Sequence, residues 1–149
     1  MLDKSGVVRI CNFRQLKRSG QAAFHEGLKF ASESVNWAAP EVLSQNSIYG
    51  TSADIYSLGI TSLELVFNQT PYQNWPPMKI LLCKKLYECP NIKTTKTISK
   101  LFRELVGSCL KKSPEARLTL HECLNHRFVR NKSNKALKGF LKNLIDKVG

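Results

Sequence analysis

The sequence predicts a mainly α-helical domain, and three observations lead to this prediction. First, residues 54–67 read DIYSLGITSLELVF, an apolar stretch of helical length. Second, apolar residues repeat at steps of three and four over 101–110 and again over 136–148. Third, Thr119 and Glu122 have the spacing of a capping box, in which two side chains satisfy free amides at a helix start. A chain of 149 residues is long enough to bury one hydrophobic core.

The first element expected along the chain is a short buried strand at residues 7–11, VVRIC. Residues 14–36 follow, and they show no sustained period and are rich in Ser, Gly and Lys, which predicts a long loop. A loop longer than about 15 residues inside a compact domain is uncommon and is usually either functional or disordered. The sequence leaves both interpretations of this loop open.

The helices expected after this loop follow from apolar patterning and cap residues. Residues 54–67 are apolar on nearly every side, which predicts a helix inside the domain rather than on its surface. Residues 77–87 form a second helix with proline in its first turn. Ser99 can cap a third helix that ends near Lys111. An amphipathic helix is expected at 133–148.

The net charge of +12 suggests a nucleic-acid partner, but its distribution favours another explanation. From Lys111 to Gly149, ten Lys and Arg residues oppose three Asp and Glu residues. These charges alternate with apolar residues at helical spacing, without the exposed aromatics that base stacking requires. We therefore expect a solvated helix face, with an acidic partner protein as the first alternative and nucleic acid as the second.

Cysteine usage and hydropathy indicate the cellular setting. The five cysteines are scattered and form no CxxC pair, which favours reduced thiols and no metal site. No apolar run approaches the roughly 18–20 residues of a membrane span, and the start has no signal-peptide pattern. We expect a cytoplasmic protein, with the nucleus as the alternative, and no membrane partner.

Three blocks of sequence, by their order and by their separations along the chain, resemble the C-terminal lobe of a eukaryotic protein kinase. They are WAAPEV at 37–42, SADIYSLGITSLEL at 52–65 and KKSPEARLTLHECLNHRF at 111–128. The phrases DIYSLGIT and ELVFNQTPY look most like the Ste20 branch of that superfamily. The expected fold class is therefore mainly α, a kinase-like C-terminal lobe over 1–132 with a small β remnant at its start. The amphipathic helix would occupy 133–149.

The resemblance implies structural roles for three charged residues. Glu41, in the Ala-Pro-Glu block, would form a buried ion pair with Arg117 and tie the end of the activation segment to the lower helices. Loss of one partner of such a pair costs about 3–5 kcal/mol, because the other charge stays buried and unpaired. Asp54, at the start of the apolar helix, would cap that helix and accept backbone amides from the catalytic loop.

By the same resemblance, Asn12-Phe13-Arg14 occupies the place of the Asp-Phe-Gly metal loop, and the activation segment spans about 12–41. The amide of Asn12 offers one neutral oxygen where magnesium prefers anionic oxygens. Arg14 replaces a glycine that is free to take positive φ, and it adds a cation beside the metal position. Asn12 is thus a degenerate cofactor-binding candidate, and we expect no catalytic residue and no metal ligand.

Other motifs of phosphoryl transfer are missing from the 149 residues. They contain no GxGxxG and no His-Arg-Asp. We expect the nucleotide-binding lobe and the catalytic loop to be absent, so that the chain itself holds no cofactor and ATP would bind only with the missing N-terminal lobe. Truncation does not explain Asn12 and Arg14, and these two substitutions favour a pseudokinase.

Within the Ste20 branch the chain most resembles the Ste20-related adaptor pseudokinases, through PEVLSQNSIYGTSADIYSLGIT at 40–61 and NWPPMKILLCKKL at 74–86. This resemblance implies an inert adaptor that binds and allosterically activates a liver-kinase-B-type serine/threonine kinase, together with a helical-repeat scaffold protein. The expected contact surface is segment 14–36 with the groove beside helix 77–87. Two alternatives stay open: the C-terminal lobe of an active Ste20-like kinase, and a non-functional gene fragment.

Two serines near the end of the activation segment are candidate phosphosites. Ser32 and Ser34 lie in a polar stretch, and Glu33-Ser34 stands where active Ste20 kinases have Gly-Thr. That replacement weakens the expected substrate-docking floor.

Overall fold

The computed structural model describes residues 7–11, 13, 34–44, 49–87 and 98–130. In chain order its helices are α1 (Ser52–Phe67), α2 (Pro77–Leu86), α3 (Lys100–Cys109), a 3-10 turn (Pro114–Ala116), α4 (Leu120–Asn125) and α5 (Arg127–Arg130). The described part of the chain is mainly helical, which confirms the predicted fold class. None of these helices is long and apolar enough to cross a membrane.

The chain divides into two compact units. One consists of residues 1–17 with 131–149, and the other of residues 18–130. All the helices named above belong to the second unit. The predicted helix at 133–148 and the proposed domain boundary at 132 lie outside the described residues and stay predictions.

The predicted buried strand at residues 7–11 is wrong. Val8 makes a single β-bridge, and the described residues contain no strand element. Val8 is 73% exposed, and Ile10 is 85% exposed. A β-strand is stable only beside partner strands with an apolar layer over one face, and a lone bridge supplies neither.

Helix α1 forms where the apolar stretch predicted it, but it begins two residues earlier, at Ser52. Its buried face consists of Ala53, Ile55, Tyr56, Gly59, Ile60 and Leu63. The prediction that this helix lies wholly inside the domain is wrong, because Leu58, Leu65 and Val66 are exposed. Among the described elements, α1 packs mainly against α3. Asn68 ends the helix in the left-handed conformation that asparagine tolerates.

Three apolar clusters hold these helices together. The largest joins α1, α3 and the segment before α1 through Ala39, Ala53, Tyr56, Ile60, Leu63, Ile98, Phe102, Val106 and Leu110. A second joins α1, α3 and α4 through Ile55, Leu105, Cys109 and Cys123. The third joins α2 to the segment before α1 through Val35, Tyr72 and Ile80.

Local capping fixes where α3 and α4 begin, as the sequence predicts. The Ser99 hydroxyl accepts a hydrogen bond from the Phe102 amide at 3.2 Å. At α4 the capping box is complete: the Thr119 hydroxyl accepts from the Glu122 amide, and the Glu122 carboxylate accepts from the Thr119 amide at 2.7 Å. The hydrogen bonds that the Glu122 carboxylate accepts from the amide and the hydroxyl of Thr119 lower the pKa of Glu122, because they favour its ionised form.

Candidate functional site

The candidate site is built around residues 34–44, called the anchored segment below. Its backbone forms tight turns, in which the amides of Trp37 and Ala38 donate to the Ser34 carbonyl at 3.0 Å each. Val35 and Ala39 are 4% and 0% exposed, so the segment packs into the domain instead of lying on it. Three anchors, formed by charged or polar side chains of other elements, fix its position, and each is described in turn.

The first anchor is an ion pair between Glu41 of the anchored segment and Arg117. Arg117 Nη1 lies 2.6 Å from Glu41 Oε1, and Nη2 lies 2.8 Å from Oε2, so the contact is bidentate. The side chain of Arg117 is fully buried, and that of Glu41 is 13% exposed. Planar guanidinium and carboxylate groups match in this arrangement, which makes it a strong, directional contact.

The remaining donors of Arg117 bind the backbone. Nε donates to the Lys111 carbonyl at 2.7 Å, Nη1 to Ser52 at 2.9 Å and Nη2 to Lys112 at 3.0 Å. A guanidinium has five N–H donors, and these bonds with the two to Glu41 use them all. Arg117 therefore ties together the anchored segment, the first residue of α1 and the end of the α3 region, with its charge fully compensated.

The second anchor is Lys84 of α2, which is 3% exposed. Its Nζ donates to the carbonyls of Val35 at 2.8 Å, Asn36 at 2.6 Å and Ala38 at 2.7 Å. A lysine ammonium has three N–H donors, and each finds an oxygen of the anchored segment. These charge-assisted bonds make burial of the cation tolerable and fix the segment on α2.

Both anchoring cations lie beside one aromatic ring. Lys84 Nζ is 5.1 Å from the ring centroid of Tyr56, and Arg117 Cζ is 5.0 Å from it. Tyr56 itself is 1% exposed. The electron-rich face of an aromatic ring attracts cations at such distances, so the ring adds to the stability of both anchors.

Lys84 is not among the site residues predicted from the sequence. A signal was present: Lys84 is four residues after Ile80, so both fall on the same face of α2, and that face is the buried one. A lysine on an apolar helix face normally bends its ammonium into solvent. Here the three carbonyls that receive it come from residues 46–49 positions earlier in the chain, which spacing alone cannot reveal.

The third anchor is α1, which contacts the anchored segment through two polar side chains. The Ser57 hydroxyl donates to the Trp37 carbonyl at 3.0 Å. The indole Nε1 of Trp37 donates to Glu64 Oε2 at 2.9 Å. Trp37 is thus held by both its backbone and its side chain.

Asp54 does not cap α1, contrary to the sequence prediction. Thr51 already has helical backbone angles (φ −59°, ψ −22°), so the helix starts at Ser52 and Asp54 becomes its third residue. Its side chain is exposed, and no described residue forms a hydrogen bond with it. What the carboxylate does supply is a favourable charge at the positive end of the helix dipole.

The other predicted site residues are only partly covered by the structure. Asn12 and Ser32 lie outside the described residues. Ser34 is half-buried at the start of the anchored segment, where its carbonyl accepts from two amides. Its role as a phosphosite stays a prediction.

The described residues offer little to a small ligand. A depression lined by Pro40, Tyr56, Tyr72, Tyr87 and neighbouring residues encloses about 190 Å³, including open solvent. Ligand pockets usually measure roughly 300–1,000 Å³. In the described ranges, no group of three His, Cys, Asp or Glu side chains could hold a metal ion.

Comparison with known proteins gives the family of this chain. The sequence-family model of the protein kinase domain matches residues 1–129 of this chain. Serine/threonine-protein kinase dst2 of Dictyostelium discoideum is 36% identical over an alignment 153 residues long. The alignment covers 99% of this chain and 13% of that protein. Germinal center kinase 3 of Caenorhabditis elegans is 37% identical, covering 66% of this chain and 18% of its own length.

A yeast relative agrees with these two. Serine/threonine-protein kinase ppk11 of Schizosaccharomyces pombe is 40% identical over 94 residues, which are 63% of this chain and 30% of that protein. The chain thus spans less than a third of the length of each of these three relatives. By these matches and by its fold, the chain belongs to the protein kinase superfamily, within its Ste20 branch.

Proposed function

We propose that this chain acts as a catalytically inert adaptor of the pseudokinase type, which binds a serine/threonine kinase and activates it allosterically. One observation carries the proposal: the structural supports of a kinase lobe are in place around the anchored segment, while the 149 residues contain neither a GxGxxG nor a His-Arg-Asp motif. Glu41, Arg117 and Lys84 hold that segment in one conformation. A fixed surface of this kind can recognise a partner without chemistry.

The case against catalysis comes from the residues at the metal loop. Asn12 and Arg14 stand where a carboxylate and a glycine would be needed to hold magnesium beside a nucleotide. No GxGxxG or His-Arg-Asp motif occurs among the 149 residues. The chain itself is therefore proposed to bind no cofactor.

The partner proposed for this adaptor is a liver-kinase-B-type kinase, joined by a helical-repeat scaffold protein. The proposed contact surface consists of residues 14–36 and the groove beside α2. A cytoplasmic location suits both partners and the reduced thiols.

A second candidate function is that of the C-terminal lobe of an active Ste20-like serine/threonine kinase. It is favoured by two of the relatives, dst2 and ppk11, which are named serine/threonine-protein kinases. This second function requires that a residue outside these 149 hold the magnesium ion, because the amide of Asn12 is a weak ligand.

Co-purification with an activity assay tests the proposal. The full chain is expressed with a liver-kinase-B-type kinase and its helical-repeat scaffold, and partner activity is measured with and without the chain. The adaptor function predicts a stable complex and a stimulated partner. It also predicts that Asn12→Ala leaves the stimulation unchanged, since no metal is bound there.

Two results would contradict the adaptor function. One is the absence of a complex with the intact chain. The other is magnesium-dependent transfer of γ-phosphate by the purified chain alone, which would establish the second candidate instead. A loss of that transfer in Asn12→Ala would then identify the amide as a working ligand.

A further inference from the structure

Helix α2 presents an apolar stripe to solvent. Met78, Leu82 and Leu86 are 62%, 48% and 63% exposed. At 3.6 residues per turn, their four-residue spacing places them along one face of the helix. Ile80 and Lys84, on the opposite face, are buried. The helix is therefore held to the domain by one face and offers the other as an uncovered apolar surface.

Positive charges border this stripe on both sides. Lys79 and Lys85 are exposed, and their positions in the helical repeat fall on either side of the three apolar residues. Lys79 Nζ lies 4.2 Å from the ring centroid of Trp75, which precedes the helix and is 40% exposed. Residues 76–87 contain no Asp or Glu, so every charged side chain of this described stretch is a lysine.

We propose that this surface binds an acidic amphipathic helix of a partner protein. The inference deepens the proposed adaptor function and rests on it, because it names the chemistry of the segment through which a partner is held. Apolar side chains of the bound helix would cover Met78, Leu82 and Leu86, and its flanking carboxylates would pair with Lys79 and Lys85. Apolar burial supplies affinity, and the charges supply orientation and a fast association rate.

Other occupants fit the surface less well. A second copy of this chain would bring lysine against lysine, because α2 carries no acidic residue. A nucleic acid would neutralise Lys79 and Lys85 but would leave three exposed apolar side chains unused. The combination of an apolar centre with a basic rim is complementary to an acidic amphipathic helix.

A peptide-binding experiment with the intact chain tests this assignment. The probe is a fluorescent peptide of about 15 residues, near the length at which isolated helices become stable, with leucines at four-residue steps and flanking glutamates. Its anisotropy is followed as the chain is added. We expect saturable binding that weakens as salt is raised.

Variants locate the binding surface. Leu82→Asp is expected to weaken binding at least about tenfold. It removes an apolar contact that the complex would bury, and it introduces a negative charge that repels the glutamates of the peptide. The double variant Lys79→Glu with Lys85→Glu is expected to weaken binding similarly. The matched control is Leu65→Asp on α1, where an apolar side chain is 81% exposed, and this variant should bind as the parent does. Leu82→Ser serves if Leu82→Asp fails to fold.

Several outcomes would overturn the assignment. These are no saturable binding, equal binding by the parent and Leu82→Asp, equal losses in Leu82→Asp and Leu65→Asp, or equal affinity for an acidic peptide without leucines. The test is also separable from that of the adaptor function. Peptide binding without capture of a kinase would end the adaptor proposal alone, whereas kinase capture that Leu82→Asp leaves intact would end this one alone.

Discussion

Gly59 of α1 lies so close to Leu110 that a Cβ atom at position 59 would stand 2.8 Å from two carbons of the leucine side chain. The same atom would be 3.1 Å from Cβ of Cys109. Leu110 is 1% exposed and has little room to move. The absence of a side chain at Gly59 is therefore what lets α1 and the end of α3 pack directly against each other.

Replacement of Gly59 by alanine is expected to destabilise the fold. Alanine favours a helix by about 1 kcal/mol over glycine, but overpacking a core typically costs about 1–3 kcal/mol. We expect the clash to win, with a net loss of up to about 2 kcal/mol in urea unfolding. Leu65→Ala on the exposed face of α1 should change stability by less than about 0.5 kcal/mol. Equal effects of the two variants would show that α1 and α3 are not in tight contact.

Loss of Glu41 should be among the most damaging single changes in the chain. Glu41→Ala leaves the guanidinium of Arg117 buried without its carboxylate, and we expect a cost of about 3–5 kcal/mol. The double variant Glu41→Leu with Arg117→Met should recover only part of this loss, because no buried charge remains but three backbone carbonyls lose the donor that Arg117 gave them. Chemical denaturation measures both.

An exposed ion pair is the natural control for that experiment. Lys100 and Glu104 are 3.9 Å apart on α3, with side chains 84% and 48% exposed. Glu104→Ala should cost no more than about 0.5 kcal/mol. If Glu41→Ala were as mild as Glu104→Ala, the buried pair would have no anchoring role.

Lys84 provides a comparison between two adjacent lysines. Lys84→Met removes the cation from three carbonyls of the anchored segment, and we expect a loss of at least about 2 kcal/mol. It should also speed hydrogen exchange at residues 35–38. Lys85→Met, one position further along and exposed, should change neither quantity. Comparable exchange in the two variants would mean that α2 does not hold the segment.

The capping box of α4 should make stability depend on pH in the acidic range. The pKa of Glu122 is lowered below 4.5 in the folded chain by its hydrogen bonds with Thr119. As pH falls, the carboxyl of Glu122 is therefore protonated first in the unfolded state. The stabilisation is complete above the pKa of the unfolded state and is lost as pH drops through the pKa of the folded state. Glu122→Gln should flatten this part of the curve of melting temperature against pH. A parent curve identical to that of the variant would contradict the assignment.

Short-range features of the fold were predictable from the sequence, and long-range ones were not. Ser99 and Thr119 cap α3 and α4 as expected, because each cap depends on residues three positions away. The start of α1 was misplaced because the backbone of Thr51, not the Asp54 side chain, begins the helix. Lys84 escaped notice because its burial depends on carbonyls far away in the chain.

The ring of Tyr56 has a consequence for how the two anchors behave together. Because Lys84 and Arg117 both approach it to about 5 Å, removal of either cation alters the electrostatic environment of the other. The free-energy costs of disrupting the two anchors will therefore not sum. We therefore expect the two anchors to act as one thermodynamically coupled unit, in which damage to one weakens the other.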